Sequence, residues 1–466
     1  MNPELTLQYV HADRIGYGRL GVELHKALTA QGVDVYDGQR IPDKGVRIGQ
    51  SARDDAMDAA KRCKDTNVVA WVSAPAHSRH GWLKDQYAVM FTMYETTWLP
   101  ESFRDHIHNF DLIVVPSEQN VELFSRYHPN VKRVTLGVDP DRWHYHERPP
   151  VDRYFRFLIG GSGPRKGGDL AQRAFQAAFP DKPTDGPLPR LVIKSPKGDD
   201  YVIDPTRTEY LSGYISADEE VELYQSAHCY LQPSRGEGFG LQPLQAIAQG
   251  IPTILTAAHG QAEFAHLGYG LSSTLTKTPP GAFLHGDHPD MKWWEPDFDE
   301  LVDRMRWVYD NYDQALDHGR RGATTVELMF AWKNTAAQFE TAVGRDRLRT
   351  PYAGSQEWHT PSEKLYPVVT VRDYKADIGG KMYRFARGEE YWESADVKRV
   401  MFDAGLLDRA CLDADADNDT GLLPDQVQRI EGTTAAHSYC PECRQRLNTQ
   451  PTKADDLLAE MEASAA

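Results

Sequence analysis

Residues Pro233–Gly250 read P-S-R-G-E-G-F-G-L-Q-P-L-Q-A-I-A-Q-G. Cys229-Tyr230-Leu231 before them is a short apolar run that reads as the end of a buried strand, and Ile251–Thr256 after them, I-P-T-I-L-T, reads as a second one. Pro243 suits a first helical turn, where its missing N–H does no harm. Leu244, Ile247 and Ala248 supply an apolar face, and Gly250 suits the left-handed position that ends a helix. The stretch is therefore strand, glycine-rich loop, short helix, strand. A helix start of this kind offers free N–H groups and positive dipole to an anion. Gly238 and Gly240 allow backbone to approach a ligand closely. Glu237, the one carboxylate of the loop, can accept hydrogen bonds from hydroxyls.

This stretch resembles the signature of retaining glycosyltransferases of the GT-B fold, family 4 above all, which runs P-S-x-x-E-G-F-G-L-P-x-L-E-A-M-A-x-G. In the family the first Glu meets the donor sugar and the second, eight residues on, meets the nucleotide ribose. Here the first is Glu237 and the second position is Gln245, which can hydrogen-bond a diol but lacks the charge that strengthens such bonds. By this resemblance Gly238, Phe239, Gly240 and Leu241 belong to the donor site.

The first half of the chain supports the same family. Leu5–Val10 reads as a strand, H-A-D-R-I-G-Y-G-R-L follows, and a helix through Leu24 and Leu28 ends at Gly32 before a strand over Val33–Tyr36. Gly16 and Gly18 resemble the first-loop glycines that approach donor phosphate and acceptor; a plain tight turn is the alternative. Val68–Ser73 and Ala88–Tyr94 are further buried strands. Between them lie His77 and His80, where relatives place a histidine facing the donor sugar, and a surface histidine is the other reading of each. Glu95, in M-Y-E-T-T-W-L-P, sits at the carboxyl end of a strand, where α/β proteins bind ligands, or is a capping or salt-bridged carboxylate. With His80 it is assigned to the acceptor side. D-L-I-V-V-P-S at Asp111–Ser117 and the G-V-D turn of Val131–Asp139 resemble the family's exit from its first domain.

Phe155–Ile159 opens a second α/β unit. G-G-S-G-P-R-K-G-G-D precedes a helix over Asp169–Phe179, and glycines before a helix with Arg165 and Lys166 among them form an anion cradle. The family holds the donor diphosphate with a Lys-Gly pair, which Lys166 and Gly167 match. It often carries an Arg five residues before that Lys, where this chain has Gly161, so Arg165 is the substitute or a solvated side chain. Lys194, near the carboxyl end of the strand Leu191–Ser195, points to the cleft, where it is assigned to the donor site, or to solvent. Y-L-S-G-Y-I followed by a Ser216-capped acidic helix resembles the family's base-contacting segment, which assigns that role to Gly213, Tyr214 and Ile215. W-W-E-P-D precedes a helix through Leu301 and Met305, and Val326–Val343 reads as one long helix returning to the first domain.

The expected fold is α/β: two Rossmann-like domains facing across a cleft. Residues 1–148 form the acceptor-side domain, 151–324 the donor domain and 325–348 the return helix. Residues 360–408 read as a small β-rich module with a turn at Gly379-Gly380, faintly resembling small modules of phage structural proteins. Residues 409–466 are an acidic, partly flexible tail with 5 basic and 11 acidic residues, net −6. In that tail H-S-Y-C-P-E-C is half a zinc site, which Cys411 would complete with His437, Cys440 and Cys443; reduced free thiols are the other reading.

At 466 residues the chain is too long for one ordinary domain. Its net charge of −16 argues against an extended nucleic-acid surface. Five scattered cysteines imply no disulfide framework, and no apolar stretch approaches the roughly 20 residues of a membrane span, so a cytoplasmic protein is expected. The resemblance implies metal-independent, retaining transfer from a nucleotide sugar to a protein or glycan acceptor, with Glu237, Lys166 and His77 catalytic. The alternatives are a GT-B sugar-nucleotide epimerase or hydrolase, and a sugar-nucleotide-binding or structural protein without catalysis.

Overall fold

The structure is a computed structural model. It describes residues 4–9, 16–37, 66–75, 82–83, 85–148, 151–181, 185–195, 204–280 and 288–350, with isolated positions between these and short stretches up to residue 394. The elements of the first half are β1 (Leu5–Tyr9), α1 (Gly16–Ala30), β2 (Val35–Asp37), β3 (Val68–Val72), β4 (Trp82–Leu83), β5 (Tyr87–Phe91), α2 (Glu101–Ile107), β6 (Leu112–Val115), α3 (Glu118–Phe124) and β7 (Val131–Arg133). Six of these strands make one parallel sheet in the order β2-β1-β3-β5-β6-β7. β3 and β6 are buried at every residue, as strands covered on both faces must be. Alternation sends Val68, Ala70 and Val72 to one core and Val69 and Trp71 to the other.

The second half contributes β8 (Tyr154–Gly160), α4 (Gly168–Ala178), β9 (Leu188–Ser195), β10 (Thr208–Ser212), α5 (Ala217–Gln225), β11 (Cys229–Gln232), α6 (Leu241–Ala248), β12 (Thr253–Thr256) and β13 (Tyr269–Leu271). They form a second parallel sheet, β10-β9-β8-β11-β12-β13. Taken in chain order this is 3-2-1-4-5-6, and the direction of winding reverses between β8 and β11. Ligands of open α/β sheets bind beyond the strand ends at such a reversal. The loops after β8 and β11 carry Arg165, Lys166 and Glu237.

An antiparallel hairpin, β14 (Ser273–Lys277) and β15 (Lys292–Pro296), leads into α7 (Phe298–Asp310), α8 (Tyr312–Met329), α9 (Trp332–Val343) and α10 (Arg345–Arg349). Asp297 caps α7 by accepting from Glu300 N at 2.8 Å. The single helix expected over Val326–Val343 is two. Phe330 O accepts from Val138 N at 2.7 Å and Ala331 is extended and bridged to Val138, so the backbone there pairs with the first domain instead of continuing a helix. Gly137 makes the approach possible, since a Cβ on it would lie 2.5 Å from Trp332 N. Beyond the break α9 packs on α1, with Phe339 stacked on Phe91 at 6.3 Å.

Further on, β16 (Trp358–His359) pairs antiparallel with β4, β17 (Leu365–Val369) with β20 (Glu390–Ser394), and β18 (Tyr374–Ile378) with β19 (Lys381–Phe385). Gly379-Gly380, the acidic tail, Cys411, His437, Cys440 and Cys443 lie outside the described residues.

Candidate active site

The two sheets meet at a cavity of about 380 Å³. Gly16, Tyr17, Arg19, Met93, Glu95 and Leu136 line it from the first half, and Arg165, Lys166, Glu220, Glu237, Gly238, Phe239, Gly240, Leu241 and Gln242 from the second. The three cations and three carboxylates among these residues balance in formal charge.

Two loops build the core of the site. After β8 the chain turns through Gly161 (φ 106°) into a 3₁₀ turn at Pro164–Lys166, and Gly167 (φ 77°) admits the start of α4. A side chain at Gly167 would collide with Pro233 O at 2.0 Å, so the Lys-Gly pair is needed for contact as well as conformation. Gly161 has a similar reason. Its left-handed backbone suits no other residue well, and a Cβ there would sit 2.9 Å from Lys166 Cγ. A side chain at Gly161 would have to displace that of Lys166, and Arg165 faces the cavity from the turn instead.

After β11 the loop runs through Ser234 to Gly240, whose left-handed backbone (φ 104°) opens α6 with no side-chain cap. Pro243 removes one first-turn donor, leaving the amides of Leu241 and Gln242 at the helix start. Glu237 lies beneath the two cations: Lys166 Nζ is 2.7 Å from its Oε1 and Arg165 Nη1 is 3.3 Å from its Oε2. Ser234 Oγ stands 3.0 Å from the same Oε1 and 2.9 Å from Arg165 O. Burial pushes the Glu237 carboxyl up, but Lys166 and then Arg165 more than offset this and hold it at about 2. The gain is not shared evenly. Burial lowers the Lys166 ammonium below its ordinary value despite Glu237, because Arg165 stands beside it. With two cations over one carboxylate, the pair is ionic at neutral pH. Arg165 also donates to Gly236 O at 2.6 Å and reaches Glu95 of the first half at 3.9 Å.

A third loop backs the second. Gly260 N donates to Glu237 O at 2.9 Å, and a Cβ on Gly260 would meet Gly238 O at 2.3 Å. His259 holds φ 44° to allow this and puts Nε2 3.0 Å from Ser234 O, so that nitrogen carries the proton. Burial drives the imidazole down to about 4 and it is neutral.

Residues 117–339 match the model of family 4 glycosyltransferases in conflict systems. That match takes in just under half of the chain, which over those residues is similar to family 4 glycosyltransferases, and the two parallel sheets have the GT-B fold. The chain is 31% identical over 123 residues to the D-inositol 3-phosphate glycosyltransferase of Paenarthrobacter aurescens (strain TC1), a match that spans 26% of this chain and 25% of that relative. Sucrose-phosphate synthase from Thermosynechococcus elongatus shares the fold at 15% identity and TM-score 0.52, over 74% of this chain and 99% of that one. So does a structure of trehalose-6-phosphate synthase, at 11% identity and TM-score 0.51, over 73% and 99%.

Within this site the expected donor residues divide. Glu237, Lys166, Arg165, Gly238, Phe239, Gly240 and Leu241 come together at the cavity with Gly16 and Glu95. Gly18 does not line it. The helix already begins at Gly16, so Gly18 is buried in the first turn of α1 and not in a loop. Lys194 donates to Gly213 O and fixes that turn, while Tyr214 is exposed. Ile215 borders the same segment. Gln245 is buried one turn along α6 from Gln242, with its Oε1 unpartnered among the described residues. His77 and His80 lie outside the described residues.

Reading the sequence misses Arg19, Tyr17, Glu220 and Gln242. Arg19 pairs with Glu220 across the cleft at 3.1 Å. Tyr17 Oη is 3.0 Å from Met93 O and holds the segment before Glu95. Their signal was proximity to the G-Y-G-R and S-A-D-E-E stretches, which names no partner. Among the described residues there is no group of three or more potential metal ligands and no helix long and apolar enough to cross a membrane.

Proposed function

We propose that this chain transfers a sugar, with retention, from a nucleotide-sugar donor to a protein or glycan acceptor, using residues 151–324 for the donor and 1–148 for the acceptor. The observation that carries this is the pair Arg165 and Lys166 held over Glu237 at the reversal of the second sheet. Cleaving a glycosyl diphosphate leaves negative charge on the diphosphate. Two preorganised cations and the amides of Leu241 and Gln242 stand ready to stabilise it. Glu237, kept ionised, accepts hydrogen bonds from sugar hydroxyls and orients the ring. Once the diphosphate binds the cations, the carboxylate is released for that task. Gln242 and Gln245, one turn apart on α6, suit the hydroxyls of the nucleoside. Glu95 faces this group from the acceptor side. The trehalose-6-phosphate synthase that shares the fold is described as transferring with retention, in keeping with this stereochemical reading.

The test is turnover of GDP-, UDP- and ADP-sugars, followed by phosphorus NMR with and without simple sugar and peptide acceptors. Release of a nucleoside diphosphate that speeds up with acceptor supports transfer, and loss of release in Glu237→Gln ties it to this site. Release unaffected by any acceptor would favour a hydrolase or epimerase. No turnover and no binding of any of these donors would overturn the reading.

A further inference from the structure

Arg235 lies inside the glycine-rich loop, two residues before Glu237, yet it does not line the cavity. It is almost fully buried, and its guanidinium uses all five N–H donors. Nε and Nη2 donate to the Glu295 carboxylate at 2.5 and 2.8 Å. Nη1 and Nη2 donate to the Asp169 carboxylate at 2.7 and 2.9 Å. The remaining Nη1 proton goes to Pro164 O. The plane lies over the Trp293 ring at 5.0 Å. Its backbone makes the same links: Arg235 N donates to Arg165 O at 2.7 Å, and Trp294 N donates to Arg235 O at 2.9 Å.

Three segments thus converge on one side chain: the turn bearing both cations, the first turn of α4, and the strand β15. We propose that Arg235 is the positioning residue of the anion site, fixing the Pro164–Lys166 turn at the height at which Arg165 and Lys166 meet Glu237. The inference rests on the donor reading above. Arg235 acts on the turn from two directions, holding the carbonyl before Arg165 with its side chain and the carbonyl of Arg165 with its backbone. It also neutralises Asp169, a carboxylate three residues from Lys166 that would otherwise repel a diphosphate. The link extends to the other half of the molecule. β15 starts at Lys292, whose N and O bond Thr97 Oγ1 and Thr97 N at 3.0 and 3.1 Å. Lysine cannot replace this arginine, because three donors on a single point cannot span two carboxylates and a carbonyl.

The experiment is a mutant cycle on full-length protein, read by calorimetry with ADP, GDP and UDP and followed with the nucleotide that wild type binds best. Arg235→Lys should weaken binding about tenfold or more, and Glu295→Gln, a milder change at a partly exposed side chain, about threefold or more. In a Lys166→Ala background each of these factors should shrink, because part of what Arg235 positions is then gone. A scaffold with no such role would lower the melt and leave the binding factors equal in both backgrounds. Equal factors, or unchanged binding in both variants, overturn the proposal. If Arg235→Lys does not fold, Glu295→Gln decides by the same comparison. A wild type that binds none of the three nucleotides, while melting cooperatively, overturns the donor reading and this inference with it.

Discussion

Replacing Gly236 by alanine tests how closely the two halves of the molecule must meet. Gly236 is absent from the glycines with positive φ, so alanine brings no backbone strain. Its Cβ, however, would lie 2.1 Å from Glu95 O, on the opposite wall of the cleft. Carbon and carbonyl oxygen rest at about 3.3 Å, so the walls must part by roughly 1 Å. Overpacking of this kind typically costs about 1–3 kcal/mol of stability, which leaves the protein folded. The catalytic loss should be larger than the loss of fold. Arg165 bonds Gly236 O at 2.6 Å and spans towards both Glu237 and Glu95, so a displaced peptide moves a cation. A misplacement of about 1 Å in a reacting site can cost about 10²-fold. The assay is kcat/KM for donor turnover beside a thermal melt. A fall of about 10²-fold with a cooperative melt is expected. A rate within about threefold of wild type would refute the claim that this approach is made in the working enzyme.

Gln245→Glu should lower the melt of the free protein, since it buries a charge whose neighbour oxygen position is already unpartnered, and nucleoside diphosphate should restore the loss if the ribose diol is its partner; a melt unmoved by ligand would remove Gln245 from the site. Burial holds both His228 and His259 down at about 4, against an ordinary 6.5, so the unfolded chain takes up protons first and stability should fall as pH drops from 6.5 towards 4. Melts across that range, compared with His259→Asn, check this: a variant as acid-sensitive as wild type would exclude His259 as a source. Lys166 titrates below its ordinary 10.5 because of burial and Arg165, so kcat/KM should begin to fall on the alkaline side before that value, and a flat profile to pH 10.5 would contradict the burial of the cation. A chain ending at Arg349 loses the pairing of Trp358–His359 with Trp82–Leu83 but keeps both sheets and α9, so it should fold and turn over donor; an insoluble or inactive product would place the later residues in the catalytic body.

Much of this molecule was legible in the sequence because its signals are local. Apolar runs such as Val68–Val72 and Leu112–Val115 read directly as covered parallel strands, and P-S-R-G-E-G-F-G with Lys166-Gly167 named the loops that meet at the cavity. What escaped depends on pairs far apart in the chain. The break at Phe330-Ala331 has no proline or glycine to announce it. It exists because Val138, almost two hundred residues earlier, offers a backbone partner. Gly18 reads as a loop residue from its G-Y-G context, but the helix starts two residues sooner. Arg235 stood in plain sight within the motif, and nothing local says that Asp169 and Glu295 will converge on it. Gly161 looked like the loss of a useful arginine. Its left-handed backbone and the Lys166 side chain packed against it give the position a reason of its own.

The central claim is that Arg165 and Lys166 receive the diphosphate of a nucleotide sugar above Glu237. A crystal structure with bound nucleoside diphosphate tests it most directly. The expected result places phosphate oxygens within hydrogen-bond distance of Lys166 Nζ and Arg165 Nη1 and near the amides of Leu241 and Gln242, with Glu237 turned free of Lys166. A diphosphate bound elsewhere, with Lys166 still paired to Glu237 at 2.7 Å, would contradict it.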